Sequence, residues 1–324
     1  MTNVLITGGA GYIGSVLVRL LLFNGYRVRV LDNLKWGGES LIGVYTHPNF
    51  EFVRGDIREE QDVTKALADI NAVIHLAAIV GDPACSKQPR IAEDTNWKAS
   101  KMLFDLCQET KMVKRFIFSS TCSNYGKMAG DGYLSEESPL SPVSLYAELK
   151  VKFEKYMLKN KTRTDFIPTP LRFATAYGLS PRMRFDLTVN EFIREVTLGN
   201  AVEIYGGQFW RPYCYVGDIA RACMLVLKSD AKKVDLNVYN VGDTSENYQK
   251  KMIAEEILKV IPGAKFKYVP KDEDPRDYRV DFSKIKNELE YNITKTVHDG
   301  IKEIHLMLKD GLISEPFAPK YKNI

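Results

Sequence analysis

The sequence predicts an α/β protein built on a doubly wound parallel sheet, followed by a smaller C-terminal lobe. Three observations lead to this prediction. In the first half, short β-rich runs alternate with helical patterns, and a glycine-rich turn directly follows the first run. After about residue 171 the alternation loosens, and prolines and longer loops interrupt it. Strands that alternate with helical segments form parallel sheets with crossover helices.

The first half supplies six predicted strands and a clear first helix. Apolar residues recur at helical spacing over residues 13–24, and Gly25 supplies a stop signal. The strands are predicted at residues 4–6, 27–31, 50–54, 72–76, 115–119 and 166–171. Helical segments separate most of them, as crossover connections require.

The second half carries helical patterns at residues 187–198, 219–227, 252–260 and 296–308. We therefore divide the chain into a sheet domain, residues 1–170, and a smaller lobe, residues 171–324. Within this lobe, part of residues 213–245, above all a β-rich run at 238–241, is a candidate for an additional strand of the first sheet. A length of 324 residues accommodates both parts.

Composition and charge exclude several classes of protein. Hydrophobic residues make up 45% and charged residues 27%, which is typical of a globular chain and excludes a disordered or fibrous one. The net charge is +4 with no long single-sign run, so no nucleic-acid partner is expected. The longest apolar stretch, residues 72–80, is too short to cross a membrane, and glycines break the apolar N-terminus.

The cysteines and histidines predict neither disulfides nor a metal site. The five cysteines are far apart and contain no CxxC pair, which favours a reducing, cytoplasmic location. The four histidines provide no spacing typical of metal ligands.

A glycine-rich turn predicts a dinucleotide site. The segment TGGAGYIG at residues 7–14 follows the first strand and opens the first helix. Glycine permits a tight turn and a close backbone approach, and a helix N-terminus offers N–H groups to a pyrophosphate. The predicted contacts in this segment are Gly8, Gly11, Tyr12, Ile13 and Gly14.

An acidic residue after the second strand favours NAD. Asp32 lies 24 residues after Gly8, where a carboxylate binds ribose hydroxyls and repels a 2′-phosphate. Asn33 next to it is neutral, whereas Lys35 leaves NADP open as an alternative. Asp56 and Ile57, after the third strand, are predicted to bracket the adenine with one acceptor and one apolar face.

Tyr146 and Lys150 are the candidate reaction centre. They are four residues apart on a predicted helix and so share one face. A free tyrosine titrates near pH 10, and a nearby cation stabilises its phenolate. Tyr291 and Lys295 repeat the spacing, but only Tyr146 follows a strand, residues 115–119, that continues into hydroxyl residues at the ligand-binding edge of the sheet.

These motifs together resemble the extended short-chain dehydrogenases/reductases, in particular the NAD-dependent nucleotide-sugar epimerase/dehydratase family. The resemblance rests on TGGAGYIG at 7–14, LDNL at 31–34, GDI at 55–57, HLAA at 75–78, Asn96, SSTCSNYG at 119–126, YAELK at 146–150, LRFATAYG at 171–178 and RPYCYVGDIA at 211–220. It implies a Rossmann sheet and a lobe that binds a nucleotide-diphosphate sugar. It also implies tightly held NAD and a homodimer.

The same resemblance assigns residues to roles. It implies a catalytic triad of Thr121, Tyr146 and Lys150, in which Tyr146 and Lys150 also contact NAD. The further NAD contacts implied are Leu76, Ala77, Ala78, Asn96 and Phe173. His75, in the apolar fourth strand, is interpreted as a packed residue, and Asp218 as a helix N-cap.

The residues that would contact the sugar nucleotide depart in part from the family pattern. Cys122 and Ser123 follow the catalytic threonine where the 4,6-dehydratases of the family have Asp-Glu, and thiol and hydroxyl groups suit acid–base elimination poorly. We interpret both as shaping the sugar pocket. Ala174 replaces an asparagine common in the 4-epimerases. Further predicted substrate contacts are Arg182, Asn190, Arg211 and Arg276, because arginine binds phosphate oxygens bidentately and Asn190 matches a diphosphate-binding asparagine.

The sequence thus predicts NAD-dependent oxidation at C4 of a nucleotide-linked sugar. Segment 180–190 resembles a subgroup that makes surface-polysaccharide sugars. Two outcomes stay open: a 4-epimerase that returns the hydride to the other face, and a 4-dehydrogenase or 4-ketoreductase with net redox change. A 4,6-dehydratase and a non-catalytic NAD-sensing protein are the alternatives.

Overall fold

The computed structural model describes residues 2–128, 130–272, 274 and 276–323; Pro275, beside the predicted phosphate-binding Arg276, lies outside them. The strands are β1 Asn3–Thr7, β2 Arg27–Asp32, β3 Phe50–Arg54, β4 Ala72–His75, β5 Arg115–Thr121, β6 Ile167–Phe173, β7 Thr175–Tyr177, β8 Ala201–Tyr205, β9 Trp210–Tyr215, β10 Tyr239–Val241, β11 Asn247–Gln249 and β12 Lys265–Val269.

The α-helices are α1 Tyr12–Phe23, α2 Glu60–Leu67, α3 Asp82–Lys87, α4 Pro89–Glu93, α5 Ser100–Glu109, α6 Leu145–Lys159, α7 Thr188–Thr197, α8 Val216–Lys228, α9 Ala231–Val234, α10 Lys250–Val260, α11 Ser283–Leu289 and α12 Val297–Lys309. A π-helical segment, Asp94–Ala99, joins α4 to α5. No helix in these described ranges is both long and apolar enough to span a membrane.

The first six strands and β10 form one parallel sheet in the order β10-β6-β5-β4-β1-β2-β3. Every neighbouring pair in it is parallel. The chain moves outward from β1 through β2 to β3, then returns to β4 on the other side of β1. Loops that leave β1 and β4 therefore diverge, and such a switch point is where doubly wound sheets bind ligands. The predicted doubly wound α/β fold is confirmed.

Apolar side chains cover both faces of the sheet, because parallel strands need helices on each side. On one face Leu17 and Leu21 of α1 pack in the same core as Ile219 and Val226 of α8. On the other face a cluster of phenylalanines joins α5 and α6 to β5: Phe104, Phe116, Phe118, Phe153 and Phe166. Buried rings of this kind stabilise the fold by roughly 1.5–3 kcal/mol each.

The second half builds a lobe around its own core. It contains a sheet in the order β11-β9-β7 and the parallel pair β12-β8. Apolar residues of α7, α10 and α12, including Ile193, Ile253 and Ile301, form the core of the lobe. Residue 171, where the sequence loosens, lies inside β6, and β10 pairs with β6 at the edge of the large sheet.

The interpretation of Asp218 as an N-cap is wrong. Helix α8 begins at Val216, so Asp218 lies inside its first turn. The Asp218 carboxylate instead accepts hydrogen bonds from the backbone N–H groups of Thr294 and Lys295 and from the Thr294 hydroxyl. It therefore ties a distant segment to α8, which no local pattern around Asp218 signals.

Candidate active site

A cavity of about 970 Å³ opens at the carboxyl ends of the parallel strands and extends to the lobe. Most residues predicted for the site line it, from the glycine-rich turn at one end to the predicted phosphate-binding arginines at the other. Cavities of this size hold most of a small-molecule ligand.

Close packing explains the glycines of the turn after β1. Gly8 has a positive φ of 76°, and a Cβ there would lie 2.8 Å from the backbone nitrogen of Ala77. A Cβ on Gly14 would lie 2.2 Å from the carbonyl oxygen of Gly8. Any side chain at either position would therefore separate α1 from the strands β1 and β4. A Cβ on Gly11 would lie 3.2 Å from the same carbonyl oxygen, so this position is less crowded than Gly8 and Gly14.

The first turn of α1 fits an anion. The N-cap residue is Gly11, which has no side chain that could cap the helix, and the first turn contains no acidic residue. Tyr12, Ile13 and Gly14 line the cavity at this point, so their N–H groups and the positive end of the helix dipole are available to a phosphate. The residues present therefore fit the pyrophosphate of NAD.

Backbone donors fix the Asp32 carboxylate at the end of β2. One oxygen accepts from the N–H of Leu34 at 2.9 Å and the other from the N–H of Ala10 at 3.0 Å. Burial raises the pKa of Asp32, and these two donors partly oppose the rise. A carboxylate held in this way still has lone pairs for ribose hydroxyls.

The part of the cavity predicted to hold the adenine is lined by Asn33, Asp56 and Ile57. The Asp56 carboxylate already accepts from the Arg58 guanidinium, at 2.8 and 3.0 Å, and from the Asn33 amide at 3.0 Å. The Arg58 hydrogen bond is the main reason that the pKa of Asp56 falls to about 2. Asp56 therefore remains an anion with limited spare acceptor capacity, and Ile57 supplies the apolar face.

The loop after β4 contributes backbone to the middle of the cavity. Leu76, Ala77 and Ala78 line it. Asn96 does not: its side chain is buried and bonds the N–H and the carbonyl of Ile79, at 2.8 and 2.9 Å. Asn96 thus holds this loop in place from its buried side. His75 is packed as expected, between the hydroxyls of Thr7 and Ser100, and burial lowers its pKa to about 3.

Tyr146 and Lys150 face the cavity from the first turns of α6, together with Phe173 from the end of β6. The Lys150 ammonium lies 5.9 Å from the centre of the Tyr146 ring. Burial lowers the pKa of Lys150 to about 7 and raises the pKa of Tyr146 well above its ordinary value. Before any ligand charge is added, burial therefore keeps the phenol protonated.

Thr121 and Ser123 line the cavity at the end of β5, but Cys122 does not. The Thr121 hydroxyl oxygen accepts from the Ser123 N–H at 3.1 Å, which leaves its own proton to donate. The Cys122 thiol is buried and donates to the Arg172 carbonyl at 3.2 Å. The expectation that Cys122 shapes the sugar pocket is therefore not met, because its side chain belongs to the core.

A buried polar network supports the end of β5 from beneath. Glu154 of α6 pairs with the guanidinium of Arg172 on β6 at 2.6 Å, and both side chains are buried. Glu154 also accepts from the Ser120 hydroxyl at 2.5 Å. Because Ser120 precedes Thr121, this network joins β5, β6 and α6 below the predicted triad.

The predicted phosphate-binding arginines lie at the lobe end of the cavity. Arg211 contacts Asp274 at 3.0 Å, and Arg276 contacts Asp82 of α3 at 2.8 Å. Lys250 also lines this end, and burial lowers its pKa. The sequence motifs did not predict Lys250, Asp82 and Asp274 as site residues. Of these, only Asp82 has a recognisable sequence signal, because it follows β4 at the ligand-binding edge of the sheet.

Of the remaining predicted substrate contacts, Arg182 lines the cavity and Asn190 does not. The Asn190 amide is fully buried and bonds the Gly178 N–H, the Arg184 carbonyl and the Tyr12 hydroxyl, so it joins the lobe to α1 and does not line the cavity. Arg182 lines the cavity but lies over the Trp36 ring, 5.3 Å from its centre, at the dinucleotide end.

Comparison with known proteins identifies the family. Residues 4–242 match the model of the NAD dependent epimerase/dehydratase family. The low-salt glycan biosynthesis protein Agl12 of Haloferax volcanii is 32% identical over 81% of this chain and 83% of its own. The dTDP-glucose 4,6-dehydratase of Streptomyces niveus is 30% identical over 93% and 91%. The structure of UDP-glucose 4-epimerase from Thermotoga maritima with UDP-glucose superimposes with a TM-score of 0.85 at 28% identity, covering 96% of this chain and all of that one.

The fold and site define an extended short-chain dehydrogenase/reductase that uses NAD. The chain belongs to the NAD-dependent epimerase/dehydratase family, whose members act on nucleotide sugars. It is thus an enzyme of this family, with NAD as its cofactor, and the family predicted from the sequence motifs is confirmed.

Proposed function

We propose that this enzyme oxidises C4 of a nucleotide-linked sugar, through Tyr146, Lys150 and Thr121, and acts in surface-polysaccharide synthesis as a 4-epimerase or a 4-dehydrogenase/4-ketoreductase. The observation that carries this proposal is that the three side chains line one cavity beside the glycine-rich turn. The two positions that follow Thr121 hold no carboxylic acid.

Each side chain has a distinct task in the proposed reaction. Bound NAD supplies the hydride acceptor and a positive charge beside the phenol. Tyr146, as the phenolate, accepts the proton of the C4 hydroxyl while the C4 hydrogen leaves as hydride, so that C4 becomes a ketone. Thr121 donates its hydroxyl proton to the same oxygen while its own oxygen accepts from the Ser123 N–H, which helps to orient the hydroxyl. Lys150 would hold positive charge near the ring and would hydrogen-bond the nicotinamide ribose of bound NAD.

The lobe end of the cavity suits the diphosphate of the substrate. Arg211, Arg276 and Lys250 lie around Asp274, and Arg276 also pairs with Asp82, so three cations face two carboxylates there. A diphosphate would balance the excess positive charge, and arginine binds phosphate oxygens bidentately. The relative from Thermotoga maritima was crystallised with UDP-glucose, which has such a diphosphate.

A 4,6-dehydratase is the second candidate, because one relative carries that name. Elimination of water needs an acid and a base close to the sugar. Apart from Asp32 and Asp56, three carboxylates line the described cavity, and each already has a cation partner: Asp82 with Arg276, Asp186 with Arg184, and Asp274 with Arg211. Ser123 is the other side chain beside Thr121, and a hydroxyl does not provide the required pKa.

Product mass tests the proposal. The purified enzyme is incubated with NAD and a panel of nucleotide sugars that includes UDP-, dTDP- and GDP-linked hexoses and heptoses. An unchanged mass with a new retention time identifies an epimerase, and a loss of two hydrogens identifies a dehydrogenase. A loss of water would refute the C4-only reaction. Full turnover by Tyr146→Phe would refute the triad, whereas absence of turnover by the wild-type protein on every sugar of the panel would favour a non-catalytic, NAD-sensing role.

We also propose that the chain forms a homodimer in the cytoplasm. The homodimer follows from the family resemblance, and the location from the cysteines, which are all buried and unpaired. Light scattering checks the assembly, since a dimer has twice the chain mass of 36.8 kDa.

A further inference from the structure

Arg182 is a buried cation that lacks a charged partner at hydrogen-bond distance among the described residues. The residue is 7% exposed, and within residues 2–128, 130–272, 274 and 276–323 its Nε atom has no hydrogen-bond partner. In that part of the chain its side chain makes one hydrogen bond, from a terminal nitrogen to the carbonyl of Lys322, and that bond is long at 3.5 Å. A guanidinium has five donors, so most of the hydrogen-bonding capacity of Arg182 is unused.

The position of Arg182 is fixed from two sides. Its guanidinium stacks over the Trp36 ring, which belongs to the loop after β2. Its backbone N–H donates to the Ser180 hydroxyl, and that hydroxyl donates in turn to the carbonyl of Tyr12, the first residue of α1. The side chain is therefore held between the loop that carries Asp32 and the first turn of α1.

At this position a bound anion would stabilise Arg182 relative to the ligand-free protein. The first turn of α1 presents uncapped N–H groups, and Arg182 adds a full positive charge to the same end of the cavity. Burial opposes the charged form of Arg182, Arg184 adds to the effect, and Asp186 and Asp32 oppose it in part. A buried charge is costly unless it is paired, so an arriving anion would gain the interaction that Arg182 lacks.

We propose that Arg182 binds the pyrophosphate of NAD, with Trp36 holding the guanidinium in place, and that it does not bind the sugar nucleotide as its sequence motif suggests. The sugar-nucleotide cations, Arg211 and Arg276, lie at the other end of the cavity beside Asp274. A 2′-phosphate is the other anion that could reach Arg182, but the Asp32 carboxylate nearby repels it. This inference holds whichever sugar the enzyme oxidises.

Ligand affinity and stability together test the proposal. Arg182→Met keeps the apolar stem and removes the charge, and Arg211→Met is the matched control at the substrate end. The full-length proteins are stripped of bound dinucleotide, and the affinities for NAD, ADP-ribose and NADP are measured by titration calorimetry. We expect Arg182→Met to weaken NAD and ADP-ribose binding alike, by about ten-fold or more, because a charge-assisted bond to the pyrophosphate is lost. Arg211→Met keeps its NAD affinity.

The melting temperature without ligand separates a ligand-binding role from a structural one. Removing an unpaired buried cation should leave the unliganded melting temperature of Arg182→Met unchanged or raised, while the increase that NAD produces becomes smaller. An unchanged NAD affinity would overturn the proposal. So would a loss confined to NADP, or a loss for NAD that spares ADP-ribose. If Arg182→Met fails to fold, Arg182→Lys retains the charge without the planar fork and is expected to show a smaller loss for the same two ligands.

Discussion

The ammonium of Lys150 donates to the backbone carbonyl of Ser119 at 2.6 Å. Ser119 lies on β5 two residues before Thr121, so α6 is joined to the sheet edge at the point where the catalytic hydroxyl is placed. The same lysine lies over the Phe118 ring, 4.6 Å from its centre. One neutral carbonyl and a ring face stabilise a buried ammonium only in part, and burial therefore lowers the pKa of Lys150 to about 7.

Lys150 should make stability depend on pH. Its pKa is about 7 in the folded protein against an ordinary value of 10.5, so between these values the unfolded chain binds a proton that the folded chain has lost. The free energy of unfolding therefore rises with pH in this window. In ligand-free protein, wild type should gain about 2 kcal/mol relative to Lys150→Met between about pH 7 and 9, as measured by urea denaturation. Parallel pH profiles for the two proteins would contradict the lowered pKa.

Tyr146→Phe should lower turnover by about two orders of magnitude or more, the usual scale for loss of a general base. NAD should still bind, because the dinucleotide turn is untouched. Tyr291→Phe is the control: its hydroxyl donates to the Asp218 carbonyl inside the core, four residues before a second lysine, Lys295. It should retain the wild-type kcat. Equal kcat losses in the two variants would mean that position 146 has no special role.

Asp32→Asn should reduce the preference for NAD over NADP by about ten-fold or more. The amide accepts ribose hydrogen bonds less strongly than the carboxylate and no longer repels a 2′-phosphate. The amide oxygen of Asn can accept from only one of the two backbone donors, Ala10 and Leu34, so a modest loss of stability should accompany the change in preference. The ratio of the two dissociation constants is the quantity to measure. A ratio that does not change would show that another residue selects the cofactor.

Glu154→Gln should destabilise the protein by about 3–5 kcal/mol, because it leaves the buried guanidinium of Arg172 without a counter-charge. Glu148→Gln changes an exposed residue of the same helix and should cost less than about 0.5 kcal/mol. Urea denaturation of the two variants gives both values. A small effect at Glu154 would show that the network beneath Thr121 contributes little to the stability of the sheet edge.

Much of the fold was predictable because its signals are local. The alternation of strands and helices and the glycine turn fix β1 to β6 within one or two residues of their observed bounds. The helices of the lobe were also found from apolar spacing. What the pattern leaves open is which strands pair, and the return of the short strand β10 to β6 depends on contacts between distant segments.

The site was predictable to the extent that each residue acts through its own motif. Asp32, Tyr146 and Lys150 follow strands or share a helix face, and all three line the cavity. Asn96, Cys122 and Asn190 have polar side chains in motifs of the family, yet all three are buried, with partners such as the Ile79 backbone, the Arg172 carbonyl and the Tyr12 hydroxyl. Whether a polar side chain faces a cavity or a distant backbone group depends on tertiary packing, which sequence spacing does not encode.

The fate of the hydrogen on C4 tests the proposed reaction most directly. The enzyme is given a nucleotide sugar that carries deuterium at C4, and the label is located by mass spectrometry and NMR. We expect it on the nicotinamide ring after net oxidation, or again on C4 with inverted configuration after epimerisation. Deuterium at C6 of a product that has lost water would contradict oxidation confined to C4, and release of the label to solvent would contradict hydride transfer itself.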